Sequence, residues 1–380
     1  MVLKILFWSS LAALVWTHAG YPVAVALLSS VRKRHVRKTD VTPSAAVIVV
    51  AHDEEVVLSR RLENLLALDY PRELLEIVVA SDASADRTDE IVEEFARRDS
   101  RVRLLRRPRE GKVAAQDAAV ATVDAEVVAF SDANSLWAPD ALRVLVRNFA
   151  DPDVGYVCGR VGLEESDGTN REGLYWRYEL WLRERESLLG SVTAGNGAIY
   201  AVRASDYVGG DPEFAHDLGF PYVMVQRGRR AVYEPEALAV EKPSRHNEDE
   251  FHRKVRMFAR SWRHVLRGWM FRGGSPLYRV QLFSHRALRY GSGLLHLVLF
   301  ASSIALARSG LVYELALSVQ LAGLALALAG RLRLPIPGAA LAYYYFLITL
   351  ATVVGLVRYL RFGVPVVWDK TEGTRSESAT

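Results

Sequence analysis

Cysteine is almost absent from this sequence, because Cys158 is the one thiol among 380 residues. A single cysteine excludes an internal disulfide framework and a metal site built from several cysteines. A reducing compartment therefore suits the chain. Its middle also lacks an uninterrupted apolar run of the roughly 20 residues that a membrane-spanning helix needs. This central part is predicted to form a water-soluble domain.

The apolar residues gather instead at the two ends of the chain. Residues 5–28 form a nearly uncharged run, and five basic residues follow closely: Arg32, Lys33, Arg34, Arg37 and Lys38. This pattern predicts a membrane helix over residues 1–31 and a basic, cytosolic linker over residues 32–44. A cleaved signal peptide is the alternative, although its apolar region usually has only about 7 to 15 residues and its charge in front.

Three more apolar segments, residues 287–307, 311–330 and 336–357, reach or approach spanning length. They predict C-terminal membrane helices within residues 287–362, followed by a polar tail over residues 363–380. Three crossings would place the tail outside, whereas Arg358, Arg361 and Lys370 favour the cytosolic side. We favour three crossings, and we expect a multi-pass protein of a bacterial plasma membrane with its central domain in the cytosol.

Basic residues slightly outnumber acidic ones, and the formal net charge is +4. Many of the arginines flank the apolar segments, among them Arg279, Arg286, Arg289, Arg331 and Arg333. Cytosolic orientation and anionic lipid headgroups account for this placement better than a nucleic-acid backbone does. We therefore expect membrane lipids as partners and no nucleic acid.

Short β-branched or apolar runs alternate with helical patterns in the central domain. Strands are predicted over residues 45–51, 74–81, 101–107 and 126–132, with a helix over residues 88–98. Such alternation predicts an α/β fold with a mostly parallel, doubly wound sheet. Ligands of these sheets bind at the carboxyl ends of the strands.

Polar residues follow three of the predicted strands directly. His52, Asp53 and Glu54 come after the first strand, "SDASADRT" with Asp82 comes after the second, and "FSDAN" with Asp132 comes at the end of the fourth. Each group alone could be an ordinary turn or helix cap. Three groups at one edge of a sheet predict a binding site there.

Six motifs in order resemble the membrane-anchored family 2 glycosyltransferases, which are related to the bacterial exopolysaccharide and hyaluronan/cellulose-synthase-like enzymes. They are "VVAHDEE", "SDASADRT", "REGKVAAQDAA", "FSDAN", "GNGAIYAVR" and "HDLGFPYVMVQRGRRAVYEPEA". The resemblance covers residues 45–262 and implies a GT-A fold, a Rossmann-like sheet that binds nucleotide sugars. We expect this domain over residues 45–245 and an amphipathic interfacial segment over residues 246–286.

The resemblance implies a UDP-sugar donor and a divalent cation, Mg²⁺ or Mn²⁺. Its expected donor-binding residues are His52, Glu54, Asp82, Lys112, Asp132 and Arg256. Asp82 would accept a hydrogen bond from the uracil imide, and Lys112 would place a point charge near the phosphates, unless it is an ordinary surface lysine. The metal would lie at Asp132 and Asn134; Asn134 departs from the family's second aspartate, so a structural turn is its alternative reading.

On the acceptor side, the resemblance implies that Asp217 is the catalytic base. His216 replaces the usual acid before it and either tunes Asp217 or packs. The acceptor loop would include Gly195, Asn196 and Gly197. Processive synthases of the family carry a Gln-x-x-Arg-Trp motif further on, where this chain retains Arg256 but has Met257 as the last residue. Trp262 is the candidate to replace the lost tryptophan at the acceptor.

We therefore expect an inverting, metal-dependent enzyme that transfers a hexosyl or N-acetylhexosaminyl group from a UDP-sugar. The acceptor would be lipid-linked or a saccharide, at the cytosolic membrane face, in cell-surface glycan or exopolysaccharide synthesis. A processive polysaccharide synthase that extrudes its product is one alternative. A non-catalytic membrane protein that senses sugar nucleotides is another, and an oligomer is compatible with all three.

Overall fold

The computed structural model describes residues 1–163, 171–209, 216–242 and 247–364. Within these ranges, the side chains of Leu163, residues 171–175, Asp217 and residues 247–250 lie outside the description. The described residues form one eight-stranded sheet, flanked by helices, and a set of long apolar helices contributed by both ends.

The sheet begins as a parallel unit and ends as a mixed one. Its strands are β1 (Ala45–Ala51), β2 (Leu75–Asp82), β3 (Val102–Arg107), β4 (Val127–Asp132), β5 (Leu136–Trp137), β6 (Val154–Leu163), β7 (Tyr200–Arg203) and β8 (Arg230–Glu241). Their order is β3-β2-β1-β4-β7-β6-β8-β5. The first four in this order pair in parallel, β7 is antiparallel to both of its neighbours, and β6 pairs with β8 in parallel. The predicted mostly parallel sheet is confirmed.

The strand β1 is buried on both faces, as expected for a parallel strand covered by helices. Val47 and Val49 belong to the apolar cluster that includes helix α3 (Glu55–Leu66), whereas Ile48 and Val50 belong to the cluster that includes helix α5 (Lys112–Val120). Because β1 lies between β2 and β4, the loops that follow these three strands meet at one sheet edge.

The helices of the central part connect and cover these strands. In chain order, the helices before and within it are α1 (Val2–Val15), α2 (Tyr21–Val31), α3 (Glu55–Leu66), α4 (Thr88–Arg98), α5 (Lys112–Val120), α6 (Ala141–Val146), α7 (Arg171–Leu189) and α8 (His216–Gln226). After it come α9 (Asn247–Leu266), α10 (Pro276–Gln281), α11 (Leu288–Tyr290), α12 (Ser292–Leu306), α13 (Leu311–Arg331) and α14 (Ala339–Phe362).

Four helices of the described chain are long and apolar enough to cross a membrane, one N-terminal and three C-terminal, as predicted. The first runs over Val2–Val31, and a π-helical turn, Trp16–Gly20, joins α1 to α2. The others are Ser292–Ser309, Leu311–Arg331 and Ala339–Phe362. The first of these three starts five residues later than expected, because a turn at Gly291 separates α11 from α12. A second π-helical turn, Leu282–Ala287, precedes α11.

The amphipathic helix α9 packs against α14. Val255, Phe258 and Trp262 form an apolar cluster with Ala351, and the contact is close at Gly355. A Cβ atom at Gly355 would lie 2.8 Å from the Cβ of Phe258, so only glycine allows this approach. The predicted interfacial segment therefore has its apolar face covered by a helix of the same chain.

Cys158 lies in β6 with no exposed surface, and its Sγ is 3.6 Å from the carbonyl oxygen of Val232. Burial raises the pKa of this thiol to about 11. The side chain packs in the core as a small apolar residue would.

Candidate active site

The loops after β1 and β2 are fastened to each other. The backbone N–H of Asp53 donates to Ser84 Oγ at 3.1 Å, and Asp53 Oδ1 accepts from the N–H of Ala85 at 2.6 Å. Asp53 and Ala83 have φ values of 49° and 56°, which side-chain-bearing residues rarely adopt. Cross-loop hydrogen bonds hold this unfavourable backbone in place, as is common at functional sites.

His52 and Glu54 are placed by the same pair of loops. His52 Nδ1 lies 2.9 Å from the carbonyl oxygen of Asp82, and the N–H of Glu54 donates to Thr88 Oγ1 at 2.7 Å. The side chain of Glu54 is buried. Both residues lie at the predicted sheet edge, and their contact with a donor stays a prediction.

Asp82 fastens the loop that carries Lys112. Its carboxylate accepts from the N–H groups of Glu110 at 2.9 Å and Gly111 at 3.2 Å, and from Arg109 Nη1 at 3.3 Å. Asp82 has no exposed surface. The residue therefore orders residues 109–111 at the start of α5, a role that the sequence did not indicate. A contact between Asp82 and a uracil base stays a prediction.

Lys112 and Asp132 form the charged centre of the site. Lys112 Nζ donates to Asp132 Oδ1, and each side chain is about one-third exposed. A Cβ atom at Gly197 would lie 3.4 Å from Asp132 Oδ2 and 3.5 Å from Lys112 Nζ. The structure thus brings a predicted donor-side pair against a predicted acceptor-side glycine, and the absence of a side chain at position 197 keeps the carboxylate accessible.

A fully buried arginine, which the sequence analysis missed, supports Asp132 from beneath. Arg61 in α3 donates from Nη2 to Ser131 Oγ at 2.8 Å, and its guanidinium lies 5.0 Å from the ring centroid of Trp137. Burial lowers the pKa of Arg61 to about 9, and the nearby Asp132 carboxylate acts in the opposite direction. The group stays cationic at neutral pH and adds a fixed positive charge close to Asp132.

Asn134 lies in the turn after β4 and is half-buried. It does not belong to the cavity lining around Lys112 and Asp132. Among the described residues, no three His, Cys, Asp or Glu side chains cluster as metal ligands would. A hard cation that is bound by one carboxylate and by substrate phosphates needs no such cluster. The residues present therefore fit a metal that binds together with the donor at Asp132, and they do not fit a preformed metal cage.

The acceptor-side loop is held by its own side chains. Asn196 donates to the carbonyl oxygen of Gly159 at 2.8 Å and accepts from the N–H of Ile199 at 2.9 Å. Arg183 of α7 donates to the carbonyl oxygen of Gly195 at 3.1 Å. Asn196 therefore shapes the loop, and the two neighbouring glycines present backbone to the cavity.

His216 is buried at the start of α8 in a network that includes α5. Its Nδ1 lies 3.3 Å from Tyr200 Oη, and its Nε2 lies 3.6 Å from Asp117 Oδ1. Asp117 also accepts from Tyr207 Oη at 2.5 Å, and burial raises the pKa of Tyr207. His216 thus packs and is oriented by a carboxylate at the same time. Asp217 follows it in α8, and its side chain lies outside the described residues.

One face of α9 lines the cavity, and it differs from the predicted face. Arg253, Met257 and Arg260 are spaced on one side of the helix and line the cavity. Arg256 and Trp262 do not line it. Trp262 is buried instead, and its Nε1 donates to the carbonyl oxygen of Thr352 at 2.9 Å. The structure therefore places Trp262 in the contact between α9 and α14 and not on the acceptor side.

A cavity of about 960 Å³ connects these features. It contains Lys112 and Asp132 at one end, the acceptor-side loop along one wall and residues of α9, α12 and α14 beyond. Trp176 and Trp181 of α7 also line it, and sequence reasoning did not single them out. The sequence feature that could have indicated them is the aromatic-rich stretch "YWRYELW". The spacing of its aromatic residues does not distinguish a binding surface from a hydrophobic core.

Residues 46–206 match the sequence profile of Glycosyl transferase family 2. The chain carries a family 2 glycosyltransferase domain. The profile spans the charged pair and the acceptor-side loop, and it ends before α8. Together with the four apolar helices, it confirms the predicted membrane-anchored family 2 architecture.

Similar proteins extend this result. The transferase domain is similar to the beta-monoglucosyldiacylglycerol synthase of Trichormus variabilis, at 29% identity over 189 residues, which are 47% of this chain and 40% of that protein. It is also similar to an N-acetylglucosaminyltransferase of Rhizobium meliloti, at 29% identity over 216 residues, or 52% of this chain and 50% of that protein. The matched region thus spans half or less of these relatives.

The mannosyltransferase PcManGT from Pyrobaculum calidifontis, solved with GDP-Man and Mn²⁺, has the same fold. The TM-score is 0.74 at 21% identity, and the match covers 94% of this chain and 99% of that one. It includes the apolar helices as well as the transferase domain, which confirms the GT-A fold with long apolar helices at both ends.

Proposed function

We propose that the chain is an inverting, metal-dependent glycosyltransferase that uses a UDP-sugar. It transfers a hexosyl or N-acetylhexosaminyl group to a lipid-linked or saccharide acceptor at the cytosolic face of the plasma membrane, in cell-surface glycan or exopolysaccharide synthesis. The observation that carries this proposal is the charged pair of Lys112 and Asp132 in a cavity that continues among the apolar helices.

At the donor end, the chain supplies charges suited to a departing diphosphate. Lys112 carries a compact positive charge on a flexible stem, so it can leave Asp132 for a phosphate oxygen without a change in the backbone. Arg61 keeps a fixed positive charge behind Asp132. The glycine at position 111, with φ 95°, allows the loop backbone to turn into α5 just before Lys112.

A divalent cation fits this arrangement through Asp132 and the donor phosphates. When bound there, Mg²⁺ or Mn²⁺ would act as a Lewis acid that neutralises charge developing on the diphosphate. Asp132 would hold it, and Asn134 follows in the same turn as a neutral oxygen donor. The archaeal structure that contains Mn²⁺ supports this proposal.

At the acceptor end, we assign the base to Asp217. A carboxylate there would take the proton of the acceptor hydroxyl as this oxygen attacks the anomeric carbon. His216, held between Tyr200 and Asp117, fixes the start of α8 and hence the position of the next residue. Attack from the face opposite the diphosphate inverts the anomeric configuration.

The names of the relatives support the acceptor and sugar classes. One set is named for synthesis of a monoglucosylated diacylglycerol, and another for N-acetylglucosamine transfer. These names favour a glucose- or N-acetylglucosamine-type donor and a lipid or saccharide acceptor. The archaeal relative was solved with a GDP-sugar, so guanosine donors are the competing class.

The test is a donor panel with the purified full-length chain in lipid nanodiscs. UDP- and GDP-sugars are compared for nucleotide release and for a product identified by mass, with Mn²⁺, Mg²⁺ or a chelator. We expect one UDP-sugar to support metal-dependent transfer, and Lys112→Ala to abolish it. Tight sugar-nucleotide binding without turnover would favour the non-catalytic sensor, and exclusive use of a GDP-sugar would contradict the donor assignment.

A further inference from the structure

Three polar side chains form a hydrogen-bonded chain within the membrane helices. Tyr345 Oη lies 3.1 Å from His18 Nε2 and 2.8 Å from His296 Nε2. The three residues come from three of the candidate spans, Val2–Val31, Ser292–Ser309 and Ala339–Phe362. One hydroxyl can donate to one imidazole and accept from the other, so neutral histidines satisfy this geometry. Polar residues inside membrane segments are costly, and they commonly mark ligand pathways.

This chain of polar groups lies at the membrane end of the cavity that contains Lys112 and Asp132. His18 and Tyr345 line that cavity, together with Leu341. Tyr345 is 41% exposed and Leu341 is 47% exposed, so the cavity reaches the outer surface of the helix bundle. His18 also lies in the π-helical turn Trp16–Gly20, and such turns are frequent at functional sites.

The cavity follows one face of α14 for a considerable length. Leu341, Tyr345, Ile348 and Thr352 line it at helical spacing. At roughly 1.5 Å per residue, the stretch from Leu341 to Thr352 measures about 16 Å, which is near half of a hydrocarbon core of about 30 Å. The path from the charged centre therefore runs along a membrane helix and opens sideways, where a lipid would lie.

We infer that the acceptor is a hydroxyl-headed lipid that stays anchored in the bilayer during transfer. Its chains leave the cavity past Leu341 and Tyr345, and the His18–Tyr345–His296 chain binds the polar atoms next to them. This inference rests on the proposed function. The lipid hydroxyl oxygen forms the new bond to the anomeric carbon, the bond to the diphosphate oxygen breaks with its electron pair on that oxygen, and the hydroxyl proton passes to Asp217.

Another polar contact in the same bundle provides a matched control. Gln320 of α13 donates to Ser303 Oγ of α12 at 2.9 Å, and neither residue lines the cavity. If hydrogen bonds between these helices serve only packing, Tyr345→Phe and Gln320→Met should have similar effects. If the chain at the cavity mouth binds lipid, only Tyr345→Phe should change the use of a lipid acceptor.

The first test measures transfer by the full-length chain in nanodiscs with long-chain diacylglycerol as the lipid probe and a soluble oligosaccharide as the alternative acceptor. For Tyr345→Phe and His18→Leu, we expect the KM for diacylglycerol to rise about tenfold relative to the wild type, as loss of one hydrogen bond permits. Gln320→Met should match the wild type. Equal loss in all three variants, or transfer to the soluble acceptor alone, would overturn the inference.

The second test needs no turnover. A diacylglycerol with a photoreactive group in its acyl chain is irradiated with the protein, and the labelled peptides are mapped. We expect adducts on α14 near Leu341 that excess diacylglycerol reduces and a soluble oligosaccharide does not. Labelling spread over all apolar helices, without competition, would overturn the inference. Absence of transfer to any acceptor with specific labelling intact would instead contradict the proposed function.

Discussion

In the proposed function, a divalent cation binds at the side chain of Asp132. Lys112 Nζ donates to one oxygen of Asp132, so a cation at Asp132 would compete with an ammonium group until a diphosphate drew the lysine away. The neutral amide of Asn134 adds no charge to this competition. Metal affinity should therefore depend strongly on bound donor.

We predict that Asn134→Asp tightens binding of the divalent cation, because it adds a second negative charge to the turn, and that Asp132→Ala abolishes transfer. The measurement is activity against Mn²⁺ concentration at fixed donor concentration, with metal binding followed by calorimetry in the presence of UDP. Full activity of the wild type after exhaustive chelation would show that the turn is only structural.

A second prediction concerns the base. Asp217→Asn should leave donor affinity nearly unchanged but lower the rate of transfer by a factor of about 10² or more, because an amide cannot accept the hydroxyl proton. Donor binding by calorimetry and single-turnover transfer separate these two effects. Turnover within a few-fold of the wild type would remove Asp217 from this role.

Arg61 shows why the residues of the site were only partly predictable from the sequence. The sequence places Leu58, Arg61, Leu62 and Leu65 on one face of α3, and such a face is normally wholly apolar. The break in the pattern was visible, but its meaning depends on β4 lying next to α3 in space. The roles of Asp82 and Trp262 were missed for the same reason, since their partners, residues 109–111 and Thr352, are remote in sequence.

The packing of helix α9 against helix α14 bears on how many C-terminal helices cross the membrane. Gly355 contacts Phe258 of α9, and α9 lines the cavity that contains Lys112. The end of α14 therefore lies on the side of the transferase domain, as Arg358 and Arg361 favour. All three C-terminal helices are long and apolar enough to cross. Three complete crossings would put this end on the opposite side, so we predict that one of the three does not cross completely.

We predict that a cysteine introduced at Ser376, in the tail outside the described residues, is protected from a membrane-impermeant thiol reagent in intact cells. A cysteine at Ser309, between α12 and α13, should react, because Ser292 at the start of α12 lines the cavity that contains Lys112 and Ser309 lies beyond the other end of this helix. Labelling of a cysteine at position 376 in intact cells would instead show that all three C-terminal helices cross the membrane.

The strands and helices themselves were largely predictable. The predicted strand 45–51 and helix 88–98 match β1 and α4, because the apolar run of one and the charge pattern of the other are local. The antiparallel insertion of β7 between β4 and β6 was not foreseen. Strand order depends on which strand edges pair with each other, and the local pattern of apolar residues within one strand does not contain that information.

For the whole molecule, the size of the product depends on the cavity beside α14. Among the described residues of α9, Phe258 is the one aromatic residue that lines this cavity. Trp262 cannot serve as a sliding surface for a growing glycan while it is buried against Thr352. Met257, which does line the cavity, is a flexible thioether and a weaker surface for sugar stacking. These features favour a short reaction product over an extruded polymer.

We predict a product that is longer by one sugar, or by very few, with excess donor. Purified enzyme is incubated with a lipid acceptor, and product size is measured by mass spectrometry over the time course. Trp262→Phe should keep this product size. A ladder that reaches high molecular mass without released intermediates would establish a processive synthase, for which Trp176 and Trp181 would be the aromatic residues to substitute next.

Because the thiol of Cys158 is buried, cysteines introduced on the surface can be labelled selectively in an otherwise native chain. Cys158 has no exposed area and its pKa is raised, so it should not react with maleimides or alkylating agents at neutral pH while the fold is intact. Any cysteine placed at the cavity mouth or in the tail can then be read individually, without first removing a native one. The same thiol would report unfolding, since it should react once unfolding exposes β6.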